Sequence, residues 1–317
     1  VYCLTKKASR MLRSATSLAQ RSRGFSSSSA SVFRQSSSAN EWWSFLPILN
    51  ITRGLPIVYH VNPKATVFRA IVDMVKMRSG SLIVSEGGKC AGIITERDIL
   101  DKMPFEQGAS RKIKVTELMT PRSELISANP SFTLDECVKV MEEGVFRHLP
   151  IMTGNDVKAV ISMRDIAIHV ASALSKAPMS EPLTVASLME AKGGSGFLEL
   201  SSTQSVAEAV LLMRQSRAGS VIVHDDTNGF GILTERDYLT KAAVYDEESP
   251  RDVCVADIMT QRSHVKSVAP TGRIDDCLSL MVAGGFRHLP VVTPDKQVVG
   301  LISMQDILHY FLGVGKE

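Results

Sequence analysis

Apolar positions along the chain follow two alternating periodicities, one helical and one typical of strands. Between 66 and 78, apolar side chains recur every three or four residues, which predicts an amphipathic helix. The expected buried face of this helix consists of Val67, Ala70, Ile71, Met74 and Val75. Two β-branched runs follow at 81–85 and 90–95, and the glycine-containing turn at 86–88 joins them as a pair of strands. A further helix is predicted to begin at Thr95.

The same order of helix and paired strands returns three more times. The predicted helices span 133–141, 205–214 and 273–281, and the predicted strand pairs are 149–153 with 157–162, 220–224 with 229–234, and 289–293 with 297–303. Thr133 with Glu136, and Ser205 with Glu208, provide capping boxes where two of these helices should begin. One such unit cannot cover its own small sheet, so we expect the units to pack in pairs.

Three short motifs indicate that the second half of the chain repeats the first. Thr-Glu-Arg-Asp at 95–98 returns at 234–237, and Phe-Arg-His-Leu-Pro at 146–150 returns at 286–290. Ser-Met-Arg-Asp at 162–165 returns as Ser-Met-Gln-Asp, so a module of roughly 130 residues has been duplicated. The predicted divisions are a basic segment at 1–40, an apolar lead-in at 41–56, repeats at 57–112, 113–175, 184–250 and 251–317, and a linker at 176–183 between the modules.

The first forty residues differ in charge from the rest of the chain. They contain seven basic residues and no acidic one, whereas the remainder carries 29 basic and 33 acidic side chains. The basic residues flank a helical apolar stripe and precede a serine run, a combination typical of an organelle transit peptide. The stretch Arg-Gly-Phe-Ser at 23–26 resembles a mitochondrial processing site. We therefore expect import into the mitochondrial matrix, with a plastid as the alternative destination and a disordered basic tail as the structural alternative.

The residue types needed for catalysis or metal binding show no characteristic spacing. The sequence contains no Gly-x-Ser-x-Gly motif and no Gly-x-x-x-x-Gly-Lys-Ser/Thr phosphate loop. The five cysteines are scattered, which argues against a zinc site or a disulfide framework, and Cys137 and Cys277 occupy matching helix positions where burial is expected. No apolar run is long enough to span a bilayer, and the mildly acidic body does not indicate nucleic-acid binding. We therefore expect no enzyme, no metal site and no cofactor.

The order of motifs in the second repeat resembles a known family. Val-Thr-Glu-Leu-Met-Thr-Pro at 115–121 is followed by Phe-Arg-His-Leu-Pro and then by Ala-Val-Ile-Ser-Met-Arg-Asp at 159–165, and Val-Ala-Asp-Ile-Met-Thr at 255–260 opens the fourth copy in the same way. This order closely resembles the cystathionine-β-synthase (CBS) domain, over residues 57–313. The resemblance implies an α/β (α+β) fold of four units of β-α-β-β-α type, packed as two tandem pairs called Bateman modules. Stand-alone organellar proteins of this family consist of little else.

The repeated Gly-apolar-apolar-Thr/Ser-x-x-Asp motif is chemically suited to a nucleotide. A carboxylate can accept both hydroxyl groups of a ribose, and N–H groups at a helix start attract phosphate. Small residues in the preceding strand are expected to let the ligand approach the backbone. By resemblance, the hydroxyls and acids of the predicted sites are Thr95, Asp98, Ser162, Asp165, Thr234, Asp237, Ser303 and Asp306. The candidates for phosphate contacts are Arg97, Arg147, His148, Arg236, Arg287 and His288.

The same motif also has a purely structural explanation. Thr or Ser followed three residues later by an acid can form a capping box, in which both side chains bond only to their own helix start. The second copy is expected to be the weakest site, because Ala159 stands where the other copies have Gly92, Gly231 and Gly300 and its methyl would narrow or block the cleft. The third copy has Leu-Met-Glu-Ala in place of the usual Met-Thr-Pro stretch. The apolar stretch at 42–51 is expected to pack on the first module, or alternatively to bind a partner.

Three functions are compatible with these motifs. The first is a regulatory protein that binds an adenosine ligand, of the AMP, ADP, ATP, NAD or S-adenosyl type, and modulates a partner protein. The second is an adaptor with empty clefts; by resemblance to stand-alone mitochondrial members, its partner would belong to the thioredoxin system. The third is a γ-type regulatory subunit of an AMP-activated kinase, which also carries four such domains. The two modules are expected to pair within one chain or through a homodimer.

Overall fold

The computed structural model describes residues 48, 58–176, 183–194, 196–226, 229–245 and 247–312. The predicted transit segment lies outside the described residues, as do most of the lead-in and of the linker between the modules. Within the described part, none of the helices combines the length and the apolar character needed to cross a bilayer.

The first module consists of two units that each contain an antiparallel hairpin. The first unit comprises β1 (His60–Val61), α1 (Val67–Met77), β2 (Ser81–Glu86), β3 (Lys89–Thr95) and α2 (Glu96–Lys102), followed by the short α3 (Ala109–Lys112). The second comprises α4 (Val115–Leu118), β4 (Thr120–Pro121), α5 (Leu134–Glu143), β5 (His148–Thr153), β6 (Asp156–Ser162) and α6 (Met163–Lys176). The strands β1 to β4 form one sheet in which β1 lies parallel to β2, and β5 pairs with β6.

The second module repeats this arrangement. Its first unit comprises α7 (Val185–Ala191), β7 (Glu199–Ser201), α8 (Val206–Gln215), β8 (Ser220–Asp225), β9 (Gly229–Thr234) and α9 (Glu235–Asp237), which continues into a π-helical segment at Tyr238–Ala243. Its second unit comprises α10 (Val255–Ile258), α11 (Ile274–Gly284), β10 (His288–Val292), β11 (Val298–Ser303) and α12 (Met304–Leu312). In the second and fourth repeats the first strand is reduced to one parallel bridge, from Ala128 to Ile151 and from Val268 to Val291. The expected β-α-β-β-α order is therefore present.

The apolar pattern predicted the buried face of α1 with one exception. Val67, Ala70, Ile71 and Met74 are buried, but Val75 is 46% exposed, so its predicted burial is wrong. Val75 follows Val67 by eight residues and therefore lies about 80° round the helix, at the margin of the apolar stripe. Both predicted capping boxes, at the starts of α5 and α8, are present.

The short helix at the start of each repeat packs on a different repeat from the one it introduces. Helix α4 is held against the first repeat, where the Val115 N–H donates to the Ala65 carbonyl at 2.9 Å. Helix α7 is held against the fourth repeat, where the Val185 N–H donates to the Gly272 carbonyl at 2.8 Å. Ile48, the one described residue of the apolar lead-in, is fully buried beside the second repeat and donates to the Phe132 carbonyl. The short segment that opens a repeat along the chain therefore packs on the other repeat of the same module.

Two hydrophobic cores join the modules side by side. One core combines side chains of the first and third repeats, and the other combines side chains of the second and fourth. Helix α6 packs against α11 and α12 in the second core, whereas α2 packs against α9 and the π-helical segment in the first. Within the first module, the contact between repeats runs through β3 and β6. The two modules thus pair within this one chain, with their charged motifs meeting in the centre.

Candidate functional site

Each of the four predicted aspartates bonds to the start of its own helix. In the first repeat, one carboxylate oxygen of Asp98 accepts from the Thr95 N–H at 3.0 Å and from the Thr95 hydroxyl at 2.7 Å, and the Thr95 hydroxyl accepts from the Asp98 N–H. The pairs Ser162 with Asp165, Thr234 with Asp237, and Ser303 with Asp306 make the same reciprocal contacts between N–H groups and side chains. The capping explanation of the motif therefore describes one oxygen of every carboxylate.

The basic partners of the four carboxylates distinguish the second repeat from the other three. Lys102 lies 2.7 Å from Asp98, and Lys241 lies 2.7 Å from Asp237. Asp306 is paired with Lys192 at 2.9 Å. Among the described residues, no side chain pairs with the second oxygen of Asp165. Of the four predicted acids, Asp165 is thus the one without a basic partner among the described residues; the lysine of Asp306 bonds to the same oxygen that accepts from the Ser303 N–H.

Asp165 lines a cavity of about 310 Å³ between the first and second repeats. Tyr59 and Ile83 of the first repeat and Val160 and Ile168 of the second contribute apolar surface to this cavity. Arginines from both modules also line it: Arg78, Arg147, Arg164, Arg236 and Arg287. The lining therefore combines an acid with several positively charged donors.

Arg164 is a cavity residue that the sequence analysis did not select. Its buried Nε has no hydrogen-bond partner among the described residues, and its side chain reaches to the vicinity of Gly285 in the fourth repeat. A buried polar atom without a partner costs free energy unless a ligand or water satisfies it. The sequence contained a signal that could have selected Arg164. It occupies the third position of its Ser-Met-Arg-Asp motif, as Arg97 and Arg236 do in theirs, whereas the fourth repeat has Gln305.

Two buried glutamates connect the predicted arginines across the module boundary. Glu96 of the first repeat accepts from Arg236 at 2.9 Å and from Arg287 at 2.8 Å, both of the second module. Glu235 of the third repeat accepts from Arg97 at 3.0 Å and from Arg147 at 2.6 Å, both of the first module. The six side chains carry four positive and two negative charges. The centre of the molecule therefore has an excess of positive charge beside the cavity.

Electrostatics at this centre fix the charge states of its members. Burial alone would raise the pKa of Glu235, but Arg147, Arg287 and Arg97 hold it well below its usual range, at about 2. Burial also opposes ionisation of Glu96, yet Arg287 and Arg236 lower its pKa. Both carboxylates are therefore ionised at neutral pH. Neither glutamate was among the predicted site residues, although each occupies the second position of a Thr-Glu-Arg-Asp motif.

The two predicted histidines lie beside the arginines as neutral side chains. Burial lowers the pKa of His148 to about 4, with Arg287 and Arg147 adding to the effect. Burial and the same two arginines lower the pKa of His288 to about 3. Gly80 packs against His148 so closely that a Cβ there would lie 2.8 Å from Nε2. At neutral pH these rings provide hydrogen-bonding groups without charge.

The glycines before the motifs have a structural reason that differs from the expected one. A Cβ on Gly92 would lie 2.3 Å from the Thr120 carbonyl oxygen, and one on Gly231 would lie 2.7 Å from that of Thr260. These glycines therefore admit the neighbouring backbone, a structural reason that applies whether or not a ligand also approaches. Ala159 is buried within the β5–β6 hairpin, and the described cavity lies beside its repeat.

A comparison with protein-family profiles identifies the family to which this chain belongs. The profile of the CBS domain matches residues 54–104, 115–172, 196–243 and 255–313, one match for each repeat. This chain is a member of the CBS domain family. Among the described residues of this CBS-domain protein, no group of three or more His, Cys, Asp or Glu side chains is arranged to hold a metal ion.

Curated relatives of this CBS-domain protein occur in Arabidopsis thaliana. CBS domain-containing protein CBSCBSPB2 is 26% identical over 276 residues, which is 78% of this chain and 51% of that protein. CBS domain-containing protein CBSX3, mitochondrial, is 32% identical over 135 residues, which is 41% of this chain and 65% of that protein. The chain thus spans about half to two thirds of the length of these relatives.

Two solved structures share the fold over most of the chain. A Methanocaldococcus jannaschii protein, whose title describes it as a candidate archaeal homologue of g-AMPK, has a TM-score of 0.67 at 20% identity and covers 84% of this chain and all of its own. An uncharacterised conserved protein from Pyrococcus horikoshii has a TM-score of 0.52 at 18% identity with the same coverage. At these identities the likeness concerns the fold alone.

Proposed function

We propose that this CBS-domain protein is a regulatory protein that binds an adenosine mononucleotide in the cavity between its first and second repeats. The observation that carries the proposal is the cavity itself, whose lining combines Asp165, which has no basic partner among the described residues, with arginines of both modules. A carboxylate accepts from ribose hydroxyls, and guanidinium groups bind phosphate. Apolar side chains that also line the cavity, such as Ile83 and Val160, suit the faces of a base.

The size of the cavity favours a small member of the adenosine class. Its volume of about 310 Å³ lies at the lower end of the range of roughly 300–1,000 Å³ for small-molecule sites. AMP or a similar mononucleotide therefore fits the proposal better than a dinucleotide of the NAD type. The phosphate would meet Arg147, Arg236 and Arg287, which already pair with glutamates across the module boundary. Ligand binding would thus act on the contacts that join the two modules, and a bound partner would sense the change.

Calorimetric titration with AMP and with ATP tests the proposed site. Asp165→Asn removes a charged acceptor, and we expect its Kd to rise by roughly 10- to 100-fold because hydrogen bonds to charged groups contribute about 1.5–3 kcal/mol. Arg164→Gln, which copies the fourth repeat, is expected to weaken binding similarly. Asp98→Asn is the matched control, since its carboxylate is already paired with Lys102, and its Kd should stay within about threefold of the wild type. Equal affinities of Asp165→Asn and Asp98→Asn would contradict the proposal.

An adaptor without a ligand is the second candidate, and the lysine-paired carboxylates favour it. Asp98, Asp237 and Asp306 each have a lysine within 3 Å, so three of the four predicted acids are already neutralised. A thermal-shift screen with adenosine ligands separates the two candidates. A rise in melting temperature with any of them supports the sensor, and no shift with all of them supports the adaptor.

The cellular setting is part of the same proposal. The basic, acid-free segment at 1–40 and the mitochondrial relative in Arabidopsis thaliana support import into the mitochondrial matrix. Fusion of residues 1–40 to a fluorescent protein tests this, with plastid or cytoplasmic fluorescence as the contrary outcomes. Affinity capture with the full chain, in the presence and absence of AMP, tests whether the partner is a thioredoxin-type protein or a kinase.

A further inference from the structure

The second module holds a lysine where the first module has its cavity. The ammonium of Lys192 donates to Asp306 at 2.9 Å and to the Leu301 carbonyl at 3.1 Å. Asp306 corresponds in the repeat to Asp165, and Leu301 corresponds to Val160, since each stands two residues before the motif serine. Asp165 and Val160 both line the cavity of the first module. Lys192 is thus bonded to the two positions that face open space in the other half of the molecule.

The pair is partly removed from solvent. The side chains of Lys192 and Asp306 are 21% and 27% exposed, which is less than the exposed lysine pair formed by Lys158 and Asp156. Burial would raise the pKa of Asp306, but Lys192 and the bonds from Ser303 lower it. The carboxylate is therefore ionised and its negative charge is already neutralised. The ammonium shares the oxygen that accepts from the Ser303 N–H, so a ribose at Asp306 would meet a neutralised carboxylate beside the lysine.

The backbone after α7 fixes Lys192 over this carboxylate. Lys192 is the C-cap of helix α7, and Gly193 and Gly194 follow with φ values of 87° and 118°. Side-chain-bearing residues rarely adopt such angles, whereas glycine does so at little cost. The two N–H groups donate to the carbonyls of Glu190 and Met189, which closes the helix end. The turn therefore holds Lys192 at the end of a helix that is packed on the fourth repeat.

This lysine differs in origin from the other two that pair with motif aspartates. Lys102 and Lys241 each follow their own aspartate by four residues, so they form pairs of the ordinary kind along one helix. Lys192 precedes Asp306 by 114 residues and belongs to the opening segment of the third repeat. Its contact exists because that segment packs on the fourth repeat.

The first module has a leucine at the matching position in sequence. The Ile48 N–H donates to Phe132 as the Val185 N–H donates to Gly272, so Ile48 and Val185 are counterparts. Lys192 follows Val185 by seven residues, and the residue that follows Ile48 by seven is Leu55, whose placement lies outside the described residues. Leucine has no ammonium group with which to pair Asp165. The sequence therefore provides no cation for Asp165 at this position.

From these contacts we infer that Lys192 closes the ligand cleft of the second module, so that the chain binds one nucleotide where its duplicated sequence suggests two. This inference rests on the proposed function for the identity of the ligand. Removal of the lysine side chain frees Asp306 and opens the second cleft. Lys192→Arg keeps a cation at the same place and leaves the cleft closed.

Calorimetric titration with AMP measures the number of sites directly. We expect one site in the wild type, one in Lys192→Arg, and two in Lys192→Ala. Lys158→Ala is the matched control, because it removes a lysine from an exposed ion pair and should retain one site. A single site in Lys192→Ala, or two sites in the wild type, would overturn the inference.

A second measurement keeps the inference testable if no protein variant binds AMP, a result that would end the proposed function. Amine acylation followed by mass spectrometry reports how accessible each lysine is. We expect Lys192 to react several-fold more slowly than Lys158, and Asp306→Asn to bring its rate close to that of Lys158. A wild-type Lys192 that reacts as fast as Lys158 would show that the second cleft is not closed by this side chain.

Discussion

In the first module, Asp165 lines a cavity of about 310 Å³, whereas in the second module the ammonium of Lys192 lies 2.9 Å from Asp306. Each aspartate ends a Ser-Met-x-Asp motif and accepts a hydrogen bond from the N–H of the serine that begins its own motif, so the two cap corresponding helices in the same way. What differs is the side chain that a neighbouring segment places against each carboxylate. Duplicated motifs can therefore retain their helix-capping role while a cavity adjoins one carboxylate and a lysine pairs with the other.

The largest expected effect concerns the matched glutamates at the centre. Glu235→Ala leaves the partly buried Arg97 and Arg147 of the first module without their buried counter-charge, and removal of one partner from a buried ion pair costs about 3–5 kcal/mol. We expect Glu96→Ala to be the milder change, because Glu96 is 5% exposed while Glu235 is fully buried. Urea unfolding of both variants measures the difference. A loss below about 1 kcal/mol for Glu235→Ala would show that the modules do not depend on this contact.

The next largest effect is a loss of stability at acidic pH that is caused by His148 and His288. Folding holds His148 and His288 neutral, with pKa values of about 4 and about 3, whereas an unfolded chain titrates them near 6.5. Between pH 6.5 and 4.5 the unfolded state therefore binds more protons, and the free energy of unfolding falls as the pH falls. Each histidine contributes up to about 1.4 kcal/mol per pH unit.

Single substitutions separate the contributions of His148, in the first module, and His288, in the second, to the dependence of stability on pH in this range. His148→Gln and His288→Gln should each flatten the dependence of stability on pH by the same amount, as followed by denaturant unfolding at several pH values. The window ends at 4.5 because Glu235, with its lowered pKa, adds a loss of the same sign below that value. An unchanged slope in both variants would mean that the histidines are not neutral in the folded protein.

A smaller loss of stability is expected from substitution of Gly92 or Ala159, each of which stands three residues before the Thr or Ser that begins its motif. Gly92→Ala places a Cβ 2.3 Å from the Thr120 carbonyl, so the strand β4 must shift at a cost of about 1–3 kcal/mol. Ala159→Gly removes a methyl from the β5–β6 hairpin and should cost about 1 kcal/mol or less. Thermal unfolding of both variants compares the first two repeats. The reverse order of stabilities would show that the backbone approach at Gly92 relaxes freely.

The smallest effect on stability is expected at the matched cysteines, where the measurement is reactivity. Burial raises the pKa of Cys137 to about 12 and that of Cys277 to about 11, and nearby acids add to both shifts. Thiolate is the reactive form, so neither should be alkylated by iodoacetamide at pH 8 while the protein is folded. Cys254 is exposed and serves as the internal control. Labelling of Cys137 or Cys277 at the rate of Cys254 would indicate a redox-accessible site.

The sequence alone determined the features that depend on neighbours along the chain. The four-fold repeat, the helix and strand bounds, the capping boxes and the burial of Cys137 and Cys277 follow from residues a few positions apart. Such patterns are local because side chains on one helix face recur every three to four residues and those on one strand face every two. The family resemblance rested on the same short motifs, and the family match bears it out.

Only the tertiary structure decided what surrounds the motif aspartates of the second and fourth repeats. Glycines at 92 and 231 admit the neighbouring backbone, and the glutamates of the Thr-Glu-Arg-Asp motifs find their arginines in the opposite module. The pairing of Lys192 with Asp306 joins residues 114 positions apart. These contacts depend on how modules and introductory helices pack against one another. A periodicity of three or four residues carries no information about side chains brought together over such distances.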